Sequence, residues 1–134
     1  MNLAANTAYW DKAHAFELMN DIDLSGSGST GTQIGTIGTP ASLIFDGGGY
    51  VVRNFSHSTV RASPFGAGRN SNFRLLGFEN VSITGSAGAG TSGFLGSSTH
   101  SSIISSYVNG GTVTCPGCGG IKGTGGSNFE GHDL

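Results

Sequence analysis

The chain has 134 residues, 25 of them glycine, a formal net charge of −2 and only 10% charged side chains. That length suits one domain with a real core; glycines without a period of three exclude collagen, and apolar residues gathered in β-branched and aromatic runs argue against disorder. Six Lys and Arg that never cluster argue against a nucleic-acid partner, and no apolar run approaches the roughly 18 residues that cross a bilayer, so no membrane insertion is expected.

In chain order, Asn2–His14 is the one helix-tolerant segment. Asn6 or Thr7 can cap a turn, and Ala8, Tyr9, Trp10 and Ala13 give it an apolar side, so residues 1–14 are expected to form a short N-terminal helical cap. The same segment lacks a basic stretch followed by an apolar one, so no secretory signal is read there. Ala15–Leu24 follows as a strand with Phe16, Leu18, Ile22 and Leu24 inward. Ser25–Thr39 is a low-complexity loop returning at Ile34. Leu43–Phe55 places two apolar runs on either side of Asp46-Gly47-Gly48-Gly49, a pattern of two β-strands joined where the backbone turns sharply.

Arg61–Ser71 reads as a loop, Asn72–Thr84 as a strand pair, Gly85–Gly93 as a Gly/Ser bridge, and Ser102–Thr114 as an echo of 72–84. Pro64-Phe65-Gly66 and Gly93-Phe94-Leu95-Gly96 recur between them. After Thr114 the pattern fades, and Cys115–Leu134 is expected as an extended Gly-rich tail anchored by Ile121, Phe129 and Leu134. Similar units laid one on another at roughly 20–30 residues each predict a single-domain, all-β β-solenoid spanning 1–114. Its expected core is Phe16, Leu18, Ile22, Leu24, Phe45, Val51, Phe55, Leu75, Phe78, Val81, Ile83, Ile103, Tyr107 and Val113. A β-sandwich fits less well, because strand alternation is weak and the Gly/Ser bridges are long.

The succession FELMNDIDLSG (16–26), Gln33-Ile34-Gly35, IFDGGGYVVRNF (44–55), Pro64-Phe65-Gly66, FRLLGFENVSITG (73–85), Gly93-Phe94-Leu95-Gly96 and ISSYVNGGTV (104–113) resembles the GLUG-motif repeat region of bacterial surface and phage proteins. The resemblance covers about Phe16–Val113 and implies a right-handed parallel β-helix in an extracellular, cell-surface or virion setting. It departs from the family at Phe94-Leu95-Gly96, which stands for Gly-Leu-aliphatic-Gly, and the tail has no counterpart. It implies no catalytic residues.

Candidate chemistry is sparse. Asp21 and Asp23 flank Ile22 and share one face of a strand, so they are a candidate calcium site, although calcium wants roughly six to eight oxygens; a solvated edge with turn-forming Asp is the plainer reading. Asp46 and Glu79 are isolated in sequence and no spacing rule brings them together, but on adjacent coils they could form the carboxylate pair that a polysaccharide hydrolase needs; a lyase would want a calcium cluster with a basic residue. Cys115-Pro116-Gly117-Cys118 suits two thiolates on zinc, with His100, His132 or Asp133 completing four ligands; a local disulfide or free thiols are the alternatives. Gly31-Thr32, Gly35-Thr36 and Gly38-Thr39 resemble a threonine ladder for ice. Tyr9, Trp10, Tyr50 and Tyr107 are candidates for stacking on sugar rings.

With no catalytic constellation, the expected role is non-enzymatic: a structural or adhesive module of a bacterial surface protein, extracellular filament or phage tail, with cell-surface glycan as a candidate ligand. A carbohydrate-active enzyme is the runner-up, and an ice- or metal-binding module the third choice. Low net charge offers little repulsion between copies, and open strand edges invite pairing. The expected partner is therefore the chain itself, as a trimer or an end-to-end filament with Ile121, Phe129 and Leu134 in the contact.

Overall fold

The computed structural model describes residues 14–25, 33–34, 42–86, 90–116, 122–125 and 130–131. Every regular element among them is a strand: β1 (His14–Glu17), β2 (Ile22–Asp23), β3 (Leu43–Asp46), β4 (Val51–Arg53), β5 (Ser56–Thr59), β6 (Gly68–Arg69), β7 (Asn72–Arg74), β8 (Gly77–Gly85), β9 (Leu95–Thr99), β10 (Ser102–Ile104), β11 (Tyr107–Thr114), β12 (Lys122–Gly125) and β13 (Glu130–Gly131). One sheet runs β1-β3-β7-β10-β13, a second runs β11-β8-β4-β2 with β5 also on β8, and a third runs β12-β9-β6. All pairings are parallel.

Parallel neighbours cannot be joined by tight hairpins, because the chain must travel back to the same end of the sheet. Here it does so by passing through the other sheets. Side chains that bond across neighbouring strands are consequently 26 to 32 residues apart in sequence. Sharp corners end the short strands, and several are made by residues in the left-handed region: Asn54 (φ 59°), Asn70 (51°), Leu75 (52°), Asn80 (54°), His100 (51°) and Ser105 (47°). Asn tolerates that region because its short amide bonds locally. Gly111 needs glycine twice over: its φ is +88°, and a Cβ there would collide with the Val81 backbone.

The core is a cluster of phenylalanines where the inner faces of the sheets meet. Phe94, fully buried, lies against Phe65, Phe73 and Phe78 with ring centroids 5.5, 5.7 and 5.2 Å apart, and Phe45 adds an edge-on contact to Phe65 at 5.4 Å. Leu43, Leu76, Ile83, Leu95 and Ile103 fill in around them. Buried hydroxyls close the backbone at the corners: Leu43 N–H donates to Ser71 Oγ at 3.0 Å, Ser71 N–H to Ser101 Oγ at 3.1 Å and Leu76 N–H to Ser106 Oγ at 3.1 Å. These bonds satisfy amides that would otherwise be buried without a partner.

The expectation of a right-handed parallel β-helix with a helical cap and an extended tail is corrected. No helix occurs among the described residues, and His14, the last residue of the expected cap, opens strand β1. Residues 1–13 lie outside the described residues. The 115–134 segment is not simply extended, since β12 pairs with β9 and β13 with β10. The sheets are unequal, with strands of two to nine residues and both β4 and β5 on β8, so the described residues form a small set of parallel sheets without the even turns of a clear solenoid. Quasi-regular glycine spacing marks where the chain turns, and does not make the strands between the turns equal.

The expected core needs three changes and several additions. Ile22 and Leu75 are exposed, 37% and 45%, the latter because its left-handed backbone turns the side chain outward at a corner. Tyr107 is only half-buried and lies on the outer side of its sheet. Leu43, Phe65, Phe73, Leu76, Phe94 and Leu95 belong to the core and were not expected there.

Candidate functional site

The second sheet carries the most developed polar group among the described residues. Its register sets Asp23 beside Arg53, Arg53 beside Glu79 and Glu79 beside Asn109. From β4, the Arg53 guanidinium bridges two acids: Nη1 donates to Asp21 Oδ2 at 2.7 Å and Nε to Glu79 Oε2 at 2.8 Å. The Val51 amide donates to the other Asp21 oxygen at 3.0 Å. From β11, the Tyr107 hydroxyl donates to Glu79 Oε1 at 3.0 Å. Four side chains from four stretches of sequence thus form one chain of charge-assisted bonds, each guanidinium–carboxylate contact within the short range typical of such pairs.

A second row lies beside it. Asp23 Oδ1 accepts from the Ser25 amide at 2.8 Å and from Asn54 Nδ2 at 2.7 Å, and Asn54 Oδ1 accepts from Asn80 Nδ2 at 2.6 Å. Asn54 and Asn80 occupy the left-handed corners that follow β4 and interrupt β8, and the equivalent corner in β11 is Gly110 (φ 71°), which has no side chain to extend the row. On the first sheet, Arg74 pairs with Asp46, Nη2 to Oδ2 at 2.7 Å, while the Gly48 amide donates to Asp46 Oδ1 at 2.9 Å.

These partners shift the ionisation of the groups they touch. The Arg53 bond, then the Val51 amide, holds the Asp21 carboxyl below its usual 3.8. The Ser25 amide and Asn54 do the same for Asp23, and the Gly48 amide leads for Asp46. Arg53 is raised, first by Asp21 and then by Glu79. Burial, followed by the bond to Glu79, pushes the Tyr107 phenol above its ordinary 10.0. All these causes favour the form already present at neutral pH, so the network is a set of fixed charges and a protonated phenol.

The residues singled out from sequence fall into place unevenly. Both Asp21 oxygens and Oδ1 of Asp23 are taken up by Arg53, Asn54 and two backbone amides. Asp46 and Glu79 do not meet: they belong to different sheets, and each faces an arginine. Tyr50 is 39% exposed at a corner, while Tyr107 is committed to Glu79. Cys115 is disulfide-bonded, so it offers no thiolate. His100 stands at an exposed corner, and His57 packs 6.2 Å from the Phe55 ring. No group of three or more His, Cys, Asp or Glu gathers among the described residues. Tyr9, Trp10, Cys118, Ile121, Phe129, His132, Asp133, Leu134 and the 31–32 and 35–39 threonines lie outside the described residues.

Arg53 and the Asn54–Asn80 pair went unnoticed in the sequence. The only sequence signal is Arg53-Asn54 and Glu79-Asn80, an opposite-charge residue followed by Asn in corresponding strands. Compared with protein-family models, curated proteins and solved structures, the chain matches none.

Proposed function

We propose that the chain is a non-catalytic structural or adhesive module, working outside the cell in a bacterial surface protein, an extracellular filament or a phage tail, with its own copies and cell-surface glycan as partners. The observation that supports this best is the internal closure of the Asp21–Arg53–Glu79–Tyr107 group: its acids, its cation and its phenol are spent on one another. A hydrolase needs a carboxyl poised to give up or take a proton, and the neighbours here hold Asp21 ionised and Tyr107 protonated. The sequence resemblance to GLUG-motif repeat regions points the same way, toward surface and phage proteins.

The polysaccharide-cleaving alternative draws on the same residues, since a phenol, a carboxylate and a guanidinium together are suited to proton transfer beside an acidic sugar. It is the weaker reading because a phenol raised above 10.0 is a poor base at neutral pH. Light scattering and a glycan array on the intact chain test the proposal. The expected result is a mass that is a multiple of the 13.5 kDa protomer together with retention of a subset of glycans. A monomer at micromolar concentration that retains no glycan would overturn it.

A further inference from the structure

The far half of the second sheet presents a different surface. There β5, β8 and β11 run side by side, and the register sets Ser56, Ser82 and Thr112 in one row and Ser58, Thr84 and Thr114 in the next. The residues between the rows, His57, Ile83 and Val113, turn inward: Ile83 is fully buried and Val113 packs against the core. Ser58, Ser82, Thr84, Thr112 and Thr114 are exposed, and Ser56 is half-buried. None of the six side chains takes part in a hydrogen bond within the described residues.

Strand spacing of about 4.7–4.9 Å and a rise of about 3.3 Å per residue make this a grid of roughly 4.8 by 6.6 Å. Each hydroxyl in it can donate one hydrogen bond and accept two. The rows contain no acid, lysine or arginine, and the side chains are all short, so nothing protrudes from the plane.

We propose that this grid binds ice. A neutral array of hydroxyls at two regular spacings matches a partner that is itself a lattice of hydrogen-bond donors and acceptors, and ordered water is that partner. A sugar chain is the less suitable occupant, because saccharide sites use aromatic rings as stacking platforms, and Tyr50 and Tyr107 stand off the grid. The inference goes beyond the adhesive reading above and stands without it.

Thermal hysteresis and partition into a slowly growing ice front, measured on the intact chain, test it. Wild type is expected to hold ice growth below the melting point and to enter the ice. Thr84→Lys and Thr112→Lys put a long, hydrated charge in the grid and should lose both properties. Thr84→Ser, which keeps the hydroxyl, and Ile44→Lys, at an exposed position on the first sheet, should retain them, with far-UV circular dichroism showing each variant folded. Absence of hysteresis in wild type, or its survival in folded Thr84→Lys, would overturn the proposal.

Discussion

The Tyr107 ring lies over Gly77, its partner in register on the next strand, where a Cβ would stand 2.5 Å from Tyr107 Cζ. The missing side chain lets the phenol lie along the sheet and reach Glu79 at 3.0 Å. Gly77→Ala must therefore lift the ring and break that bond. The expected cost is about 1 kcal/mol, the net worth of one such bond, read as a lower urea midpoint. In the Tyr107→Phe background the bond is already gone, so the same substitution should cost less; equal costs in both backgrounds would show that the bond is not what Gly77 protects.

Two buried serines should respond in opposite directions. Ser106 Oγ accepts from the Leu76 amide at 3.1 Å and donates to the Ile104 carbonyl at 3.0 Å, so Ser106→Ala strands a buried N–H and should cost about 1–3 kcal/mol. Ser92 Oγ is buried with no hydrogen-bond partner among the described residues. Ser92→Ala removes an unsatisfied hydroxyl and should be neutral or stabilising by about 1 kcal/mol. Urea titrations of the two variants side by side check the sign.

Phe94→Ala should be among the most damaging substitutions. The ring touches Phe65, Phe73 and Phe78 and has no exposed surface, so truncation leaves a cavity among rings and should cost about 3–5 kcal/mol. That is a large part of the stability expected of a small domain. Phe94→Leu, which refills most of the space, should recover much of it in the same measurement.

Stability should fall at both ends of the pH scale. Asp21, Asp23 and Asp46 sit below 3.8 when folded, so the folded state binds their protons more weakly than the unfolded state; their contribution is present above 3.8 and is lost as pH falls through the folded values. Asp21 and Asp23 are exposed and Asp46 is half-buried, so the acid limb should be shallow. Tyr107 shifts the other way. Its folded value lies above 10.0, so its contribution is present below 10.0 and is lost as pH rises through the folded value. Urea midpoints against pH should show both limbs, with the alkaline one reduced in Tyr107→Phe.

The strand runs around Leu43, Val51, Phe73, Val81 and Val113 were legible because β-branched and aromatic residues cluster there between Gly and Asn corners. Phe65 and Phe94 recur in the sequence as Pro-Phe-Gly and Gly-Phe-Leu-Gly, yet a single aromatic residue between glycines has no periodicity to mark it as core. Leu75 failed for the opposite reason: it sits in an apolar run, and its outward turn depends on a left-handed backbone that no local pattern announces. Asp21, Arg53 and Glu79 are isolated in sequence, and only the parallel register joins them. Spacing of glycines suggested uniform turns, whereas unequal strands and the pairing of β12 and β13 emerge from contacts far apart in the chain.

The central claim is that the charged groups of the second sheet hold the structure together and do not turn over a substrate. The most direct measurement is the release of reducing ends or unsaturated sugars from a panel of neutral and acidic polysaccharides, using intact protein at high concentration. The account predicts release at the buffer level for wild type and for Glu79→Gln alike. Release by wild type that disappears in folded Glu79→Gln or Tyr107→Phe would contradict it.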